Sequence, residues 1–290
     1  MTDIDFSEEQ IERYSRHLVL AEVGVEGQRK LLASRVLVVG AGGLGSPALL
    51  YLAAAGVGRL GIADGDAVEL SNLQRQVIHR SSDVGRRKTA SARRAIRALN
   101  PECIVHVFSN RLTSRNIRRV MRGWDVVLDC SDNFPARFLV ADCARFENIP
   151  LVSASVLRFE GHLMTVLPGK GRPCYRCFVP EPPPAGDTPS CGQVGVLGAV
   201  VGVMGTLQAT EALKLLLGIG DPLSDRLLIY DALRCRFTMA KRRRDPACPL
   251  CGDQPTITEL IDCKVECCPG GKCDVVIDED IPRGSGVAPA

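Results

Sequence analysis

Three glycines spaced G-x-G-x-x-G, namely Gly40, Gly42 and Gly45, are the residues whose chemical purpose is clearest. An apolar segment suited to a buried strand, residues 36–39, leads into them, and a helix-forming segment, residues 47–55, follows. A glycine turn between a strand and a helix lets the backbone approach a phosphate, whose charge the helix dipole and free amides favour. Taken alone, the motif predicts a nucleotide site of the kind found in dinucleotide dehydrogenases.

The polar residues that follow favour a triphosphate instead. Asp64 ends a second apolar strand about twenty residues after the glycines, where a ribose partner is expected. Asp66 and the segment SNLQRQ, residues 71–76, then form a polar, cationic cluster that a dehydrogenase does not need. A triphosphate needs cations for its oxygens, a carboxylate for magnesium and a group for the ribose. Each candidate alone would be a solvated surface group, but together they form a nucleotide-handling set: Arg16, Asp64, Asn72, Arg75, Lys88 and Asp132.

Two Cys-x-x-Cys pairs, Cys174 with Cys177 and Cys248 with Cys251, have the spacing of zinc ligands. The acidic N-terminus lacks the pattern of a secretory signal, so we expect the 13 cysteines to lie in the reducing cytosol. Four thiolates leave a zinc ion no open position, so the site would be structural and would join distant parts of one domain. A redox pair or ordinary buried thiols are the alternative interpretations.

Five further cysteines raise the question of thiol chemistry. Cys191 follows a proline-rich segment, residues 180–189, and precedes a predicted helix start, a position that lowers a thiol pKa. It is either a nucleophile or a spectator thiol. The tail, residues 253–290, is predicted to lie outside the main domain, residues 1–252, and to be partly disordered. Its cysteines match no motif, and binding a metal and relaying persulfide sulfur both stay open: Cys263, Cys267, Cys268 and Cys273.

Strands alternate with helices through the first half of the chain, which predicts an α/β fold with a doubly wound, Rossmann-like, mainly parallel sheet. Ligands in such sheets lie beyond the carboxyl ends of the strands, so Gly42, Asp64 and Asp132 would share one cleft. Later segments predict an antiparallel extension. The predicted elements include a helix over 8–20, a glycine-rich link at 23–27, a long helix over 195–217 and a closing strand pair at 226–230 and 233–239.

Composition sets the remaining limits. The chain has 290 residues, 46% of them hydrophobic, and a net charge of +3, which gives no reason to expect nucleic acid or an acidic membrane. The longest apolar stretch, residues 194–207, is too short to span a bilayer, so we expect a buried core helix. We therefore predict a cytoplasmic protein with no nucleic-acid or membrane partner.

Many motifs, in the right order, resemble those of the ThiF/MoeB/HesA family of ubiquitin-activating-enzyme-like adenylyltransferases, from about residue 8 to residue 252. They are RYSR ending at Arg16, GAGGLGSPALLYLAAAGVG from Gly40, DGD from Asp64, SNLQRQ from Ser71, VGRRK ending at Lys88, LDCSDN ending at Asn133, CYRC from Cys174, GVMGTLQATEALK from Gly202 and CPLC from Cys248.

The resemblance implies that the protein binds Mg-ATP and adenylates the C-terminal Gly-Gly tail of a small ubiquitin-like sulfur carrier. By resemblance, Asp64 holds the ribose, Asp132 holds magnesium, and Arg16 reaches the phosphates of the neighbouring subunit of a homodimer. Cys191 takes up the activated carrier, and a cysteine desulfurase or rhodanese donates the sulfur. The implied catalytic residues are Arg16, Arg75, Lys88, Asp132 and Cys191, and the nucleotide contacts are Gly40, Gly42, Gly43, Asp64, Asp66, Ser71, Asn72, Leu73, Gln74, Arg75, Lys88, Asp132 and Asn133.

Two other functions stay open at this point. The first is a nucleotide-dependent oxidoreductase, against which Arg75 and Lys88 argue. The second is a non-catalytic binder of a ubiquitin-like protein, which would not need Arg16, Lys88 or Asp132. The residues do not distinguish the pathways that use such carriers: thiamin, molybdopterin, modified tRNA, cysteine or a secondary metabolite.

Overall fold

A computed structural model describes residues 6–182 and 195–262. Its centre is an eight-stranded sheet in the order β3-β2-β1-β4-β5-β6-β7-β8. The first five strands of this order are parallel, and β5 to β8 continue the sheet as antiparallel neighbours. The α/β fold with an antiparallel extension is thereby confirmed. The strands are β1 Arg35–Val39, β2 Arg59–Ala63, β3 Ile104–Phe108, β4 Val126–Asp129, β5 Leu151–Leu157, β6 Glu160–Val166, β7 Arg226–Asp231 and β8 Arg236–Lys241.

Helices cover both faces of the sheet, because successive side chains of a strand point to opposite sides. Val36 and Val38 of β1 pack in one core layer, and Leu37 and Val39 pack in the other. Helices α3, α4 and α7 cover the first layer, and α5 and α6 cover the second. The helices are α1 Glu8–Leu18, α2 Gly24–Ala33, α3 Gly45–Ala54, α4 Lys88–Leu99, α5 Ile117–Met121, α6 Phe134–Phe146 and α7 Gly198–Leu217.

Two predicted elements are corrected by the structure. The predicted link at 23–27 contains the start of α2, which packs against α1 and α7 and buries Leu31. Tertiary packing outweighs the poor helix propensity of its two glycines. The strand predicted at 233–239 is β8 at Arg236–Lys241, because the preceding residues form the hairpin turn, with Cys235 at φ +48°. Cys191 and the four tail cysteines lie outside the described residues, and the boundary between domain and tail stays a prediction.

Helix α7 packs directly on the glycine turn. By length and hydropathy alone it could cross a membrane, but half of the apolar window is buried inside the protein, against α3 and the sheet. A Cβ atom on Gly205 would lie 2.3 Å from the carbonyl oxygen of Leu44, just before α3. One turn earlier, a Cβ atom on Gly202 would meet nothing within 4 Å. The close packing of α7 on the glycine turn therefore requires glycine at position 205 but not at position 202.

We expect Gly205→Ala to destabilise the fold by about 1–3 kcal/mol, because backbone atoms of the glycine turn would have to move. Gly202→Ala in the same helix should raise the free energy of unfolding by about 0.5–1 kcal/mol, because alanine favours helix and the space is open. Urea unfolding of both variants measures the difference. Equal effects of the two substitutions would contradict the close approach of α7 to the turn.

Candidate nucleotide site and metal centre

The glycine turn presents unpaired backbone donors at the start of α3. Gly40 has φ +97°, and a Cβ atom there would lie 2.6 Å from the carbonyl oxygen of Cys130. A Cβ atom on Gly45 would lie 1.9 Å from the carbonyl oxygen of Gly40. Among the described residues, no acceptor pairs with the N–H groups of Gly42, Gly43 and Leu44. Unpaired amides at a helix N-terminus form an anion site.

Asp64 lies directly after β2 and is tied to the glycine turn. Its carboxylate accepts from the N–H of Ala41 at 2.8 Å and from the N–H of Asp66 at 2.8 Å. Burial raises the pKa of Asp64, and the Lys88 charge acts in the opposite direction. Two carboxylate oxygens can accept more than these two bonds. The geometry therefore leaves Asp64 able to accept from a ribose hydroxyl.

Lys88 is buried at the start of α4, and its Nζ lies 3.0 Å from Oδ2 of Asp66. The carboxylate of Asp66 is mostly exposed, so the pair lies at the surface of the cleft. Burial of a lysine costs energy unless an anion lies close by. The Lys88 charge would therefore attract a further anionic group bound beside this pair.

The SNLQRQ segment lies along the glycine turn. Arg75 donates to the carbonyl oxygen of Ser71 at 3.1 Å, and its side chain passes beside Gly43. The side chain of Asn72 is buried and accepts from the N–H of Glu69, so it stabilises its own turn. Within the same segment Leu73 is half-buried, whereas Ser71 and Gln74 are exposed.

Asp132 follows β4 on a firmly held loop. Buried Asp129 accepts from the hydroxyl groups of Ser131 and Ser153, at 2.5 and 2.9 Å. Buried Arg137 donates to the carbonyl oxygen of Ser131 at 2.7 Å. Asn133 caps α6 by accepting from Ala136, while Asp132 itself is exposed. Since β1, β2 and β4 are parallel neighbours, the glycine turn, Asp64 and Asp132 share one edge of the sheet.

Arg16 lies at the opposite edge. The neighbouring Tyr14 accepts from Asn100 at 2.9 Å, and Asn100 also donates to Ala53 at the far end of α3. The ten residues of α3 span about 15 Å, which separates α1 from the glycine turn. The Arg16 side chain is exposed and has no ion-pair or hydrogen-bond partner in the described part of the chain. A single chain therefore does not bring Arg16 into the site.

The structure also brings two residues to the turn that sequence reasoning did not assign. Gln76 is buried beside Gly42, and its Oε1 has no hydrogen-bond partner in the described residues. Buried His79 contacts the carbonyl oxygen of Ala41 at 2.9 Å. Gln76 belongs to the SNLQRQ motif, and this motif could have assigned it to the site. No sequence pattern marks His79.

The four predicted zinc ligands form one cluster. Their sulfur atoms all lie within 4.8 Å of one another, with Cys174 to Cys248 at 3.5 Å and Cys177 to Cys251 at 3.3 Å. A tetrahedral zinc site with Zn–S bonds of 2.3 Å places its sulfurs about 3.8 Å apart. A disulfide needs a distance of about 2 Å. The cluster therefore fits a four-thiolate metal centre and not a redox disulfide.

Buried polar contacts hold the cluster against α6. Arg176, between the first two cysteines, donates to Asp142 at 2.7 and 2.8 Å, and both side chains are buried. Tyr175 packs edge to face on Phe138, with ring centroids 5.4 Å apart. Burial raises the pKa of Cys251 to about 11 and also raises that of Cys174. A cation is needed to keep such thiols ionised.

Comparison with solved structures reveals the same fold in E. coli MccB. The structure titled MccB with ATP has a TM-score of 0.70 and 24% identity, covering 83% of this chain and 74% of that one. The structure of MccB with MccA-N7isoASN has a TM-score of 0.73 and 24% identity, covering 83% and 75%. At this identity the likeness concerns the fold alone.

Comparison with known sequences identifies the family. The chain is 48% identical over 266 residues to a sulfur carrier protein adenylyltransferase of Thermus thermophilus, covering 90% of this chain and 98% of that one. It is 52% identical over 244 residues to the SAMP-activating enzyme E1 of Haloferax volcanii, covering 84% and 90%. Adenylyltransferase and sulfurtransferase MOCS3 of Bos taurus is 53% identical over 264 residues, which cover 90% of this chain and 57% of that one. Because the ThiF family model also matches residues 14–250, this chain belongs to the ThiF family.

Proposed function

We propose that the protein uses ATP to adenylate the C-terminal glycine of a small ubiquitin-like sulfur-carrier protein, preparing it for thiocarboxylate formation. The main support is the cluster of unpaired backbone N–H groups, cations and carboxylates at one edge of the sheet. The names of the Thermus and Haloferax relatives agree with this function. An oxidoreductase would not need Arg75 beside Gly43 and Lys88 beside Asp66, and a non-catalytic binder would not need a buried lysine in this position.

The reaction requires no general base. The carrier carboxylate attacks the α-phosphorus, the bond from that phosphorus to the bridging oxygen breaks, and pyrophosphate leaves. The free amides of the glycine turn, with Arg75 and Lys88, stabilise charge on the phosphates in the transition state. Asp64 holds the ribose. Asp132, exposed after β4, supplies oxygen to a magnesium ion, which neutralises phosphate charge when bound.

Adenylation would prepare the carrier to receive sulfur. Cys191 is the candidate nucleophile: its thiolate would attack the carbonyl carbon of the carrier acyl-adenylate, and the bond to AMP would break as AMP leaves. A cysteine desulfurase or rhodanese is the proposed external sulfur donor. The protein is expected to act in the cytoplasm as a homodimer.

Asp132→Ala should lower carrier-dependent exchange of pyrophosphate into ATP by about 10²-fold or more, since a charge-stabilising contact in the transition state is lost. Asp125→Ala is the matched control, because Asp125 precedes the same strand, at the opposite edge, and should leave exchange near wild type. NAD reduction is assayed in parallel. Reduction of NAD without pyrophosphate exchange would reject the proposed function, whereas full exchange by folded Asp132→Ala would reject only the magnesium ligand.

We propose that Arg16 completes the site of the partner subunit, because it is far from its own. Inactive Arg16→Ala and Lys88→Ala chains, mixed in equal amounts, should then recover about a quarter of wild-type exchange by random pairing. Each mixed dimer has one complete site. Mass spectrometry confirms subunit exchange, and no recovery after exchange would place Arg16 outside the chemistry.

We propose that the cysteine cluster holds one structural zinc ion per chain. Cys174→Ser should lose the metal and much of the stability, since structural zinc contributes about 10–16 kcal/mol of apparent binding free energy in small peptides. Cys143→Ala removes a buried thiol outside the cluster and should retain zinc. Elemental analysis and thermal unfolding check both variants. A metal-free wild-type protein of undiminished stability would exclude the site.

A further inference from the structure

A buried chain of hydrogen bonds ends on the glycine turn, and its three side chains have no role in the chemistry above. His79 Nε2 lies 2.9 Å from the carbonyl oxygen of Ala41, and His79 Nδ1 lies 2.8 Å from Ser91 Oγ. Ser91 Oγ lies 2.7 Å from Oδ2 of Asp83. The three residues are 6%, 1% and 2% exposed. Water therefore does not replace any of these contacts.

The acceptors in this chain determine where one proton lies. A carbonyl oxygen can only accept, so Nε2 of His79 must carry a hydrogen and donate it to Ala41. The three contacts need three protons, of which the Ser91 hydroxyl and a neutral imidazole supply two. The third proton lies on Asp83, whose carboxyl group also forms an ion pair with Arg94, or on His79. Both arrangements leave the Nε2–H group donating to Ala41.

This hydrogen bond sets the direction of a donor in the nucleotide site. The carbonyl of Ala41 and the N–H of Gly42 belong to one trans peptide plane and point in opposite directions. Because His79 holds the carbonyl on the buried side, the Gly42 N–H points away from His79, and it has no acceptor among the described residues. The N–H of Ala41 donates to Asp64 at 2.8 Å. Both peptide planes of Ala41 are therefore held.

We propose that His79 is a positioning residue that aims the Gly42 N–H at a phosphate of the nucleotide, with Ser91 and Asp83 holding the imidazole in place. The identity of the ligand rests on the function proposed above. His79 itself is buried behind the turn and acts only through the peptide between Ala41 and Gly42. Burial lowers the pKa of His79, and the hydrogen bond to Ala41 acts in the opposite direction.

The test is the binding of ATP and of adenosine, each measured by isothermal titration with magnesium present. His79→Leu should raise the Kd of ATP about tenfold, because one hydrogen bond to a charged group is no longer oriented. The Kd of adenosine should stay unchanged, because adenosine has no phosphate. His79→Gln should retain ATP binding, since the amide nitrogen of glutamine can reach the place of Nε2. His79→Asn should lose it to the same extent as His79→Leu, because the asparagine side chain is shorter.

Asn100→Leu is the matched control, because Asn100 is a buried donor to a backbone carbonyl at the other end of α3. It should leave ATP binding unchanged. Wild-type ATP affinity in His79→Leu, or parallel loss of ATP and adenosine, would overturn the positioning role. If His79→Leu does not fold, equal ATP affinity of the Gln and Asn variants overturns it. A wild-type chain that binds no ATP would reject the proposed function itself.

Discussion

The structure depends on close contacts between backbones at the glycine turn. The carbonyl of Cys130, after β4, occupies the space that a side chain on Gly40 would need. Within the turn Gly45 approaches Gly40, and α7 approaches the same turn through Gly205. Side chains at these positions would push β1, β4 and α7 apart. Gly42 and Gly43 are half-buried, and their N–H groups have no acceptor among the described residues, so these amides stay available to a ligand.

The charges around this turn agree with the ligand proposed above, ATP with a magnesium ion. Arg75 passes beside Gly43 and Lys88 pairs with Asp66. The carboxylates of Asp64 and Asp132 follow β2 and β4, the two strands that flank β1, at the same edge. Asp64 is held by two backbone donors, whereas Asp132 is exposed on a loop whose base is buried. This difference agrees with the roles proposed for the two carboxylates, Asp64 toward the ribose and Asp132 toward a hydrated magnesium ion.

Helix α6 connects this edge to the cysteine cluster. Asn133, next to Asp132, caps the start of α6, and further along the same helix Phe138 and Asp142 contact Tyr175 and Arg176. A metal ion in the cluster would fix the segments that follow β6 and β8 against this helix. The proposed zinc site therefore supports the position of the Asp132 loop, although it lies apart from the chemistry.

The sequence by itself determined the fold class, the two cysteine pairs and the family, because these follow from local periodicity and from motifs with short spacing. The glycine turn and the acids after β2 and β4 were also predictable, since the carboxyl ends of parallel strands lie together. Their roles stay predictions. Only the tertiary structure decided that residues 24–27 are helical, that Arg16 lies far from its own site, and that His79 contacts Ala41. These features depend on packing between segments distant in the chain, and no local pattern of residues encodes such contacts.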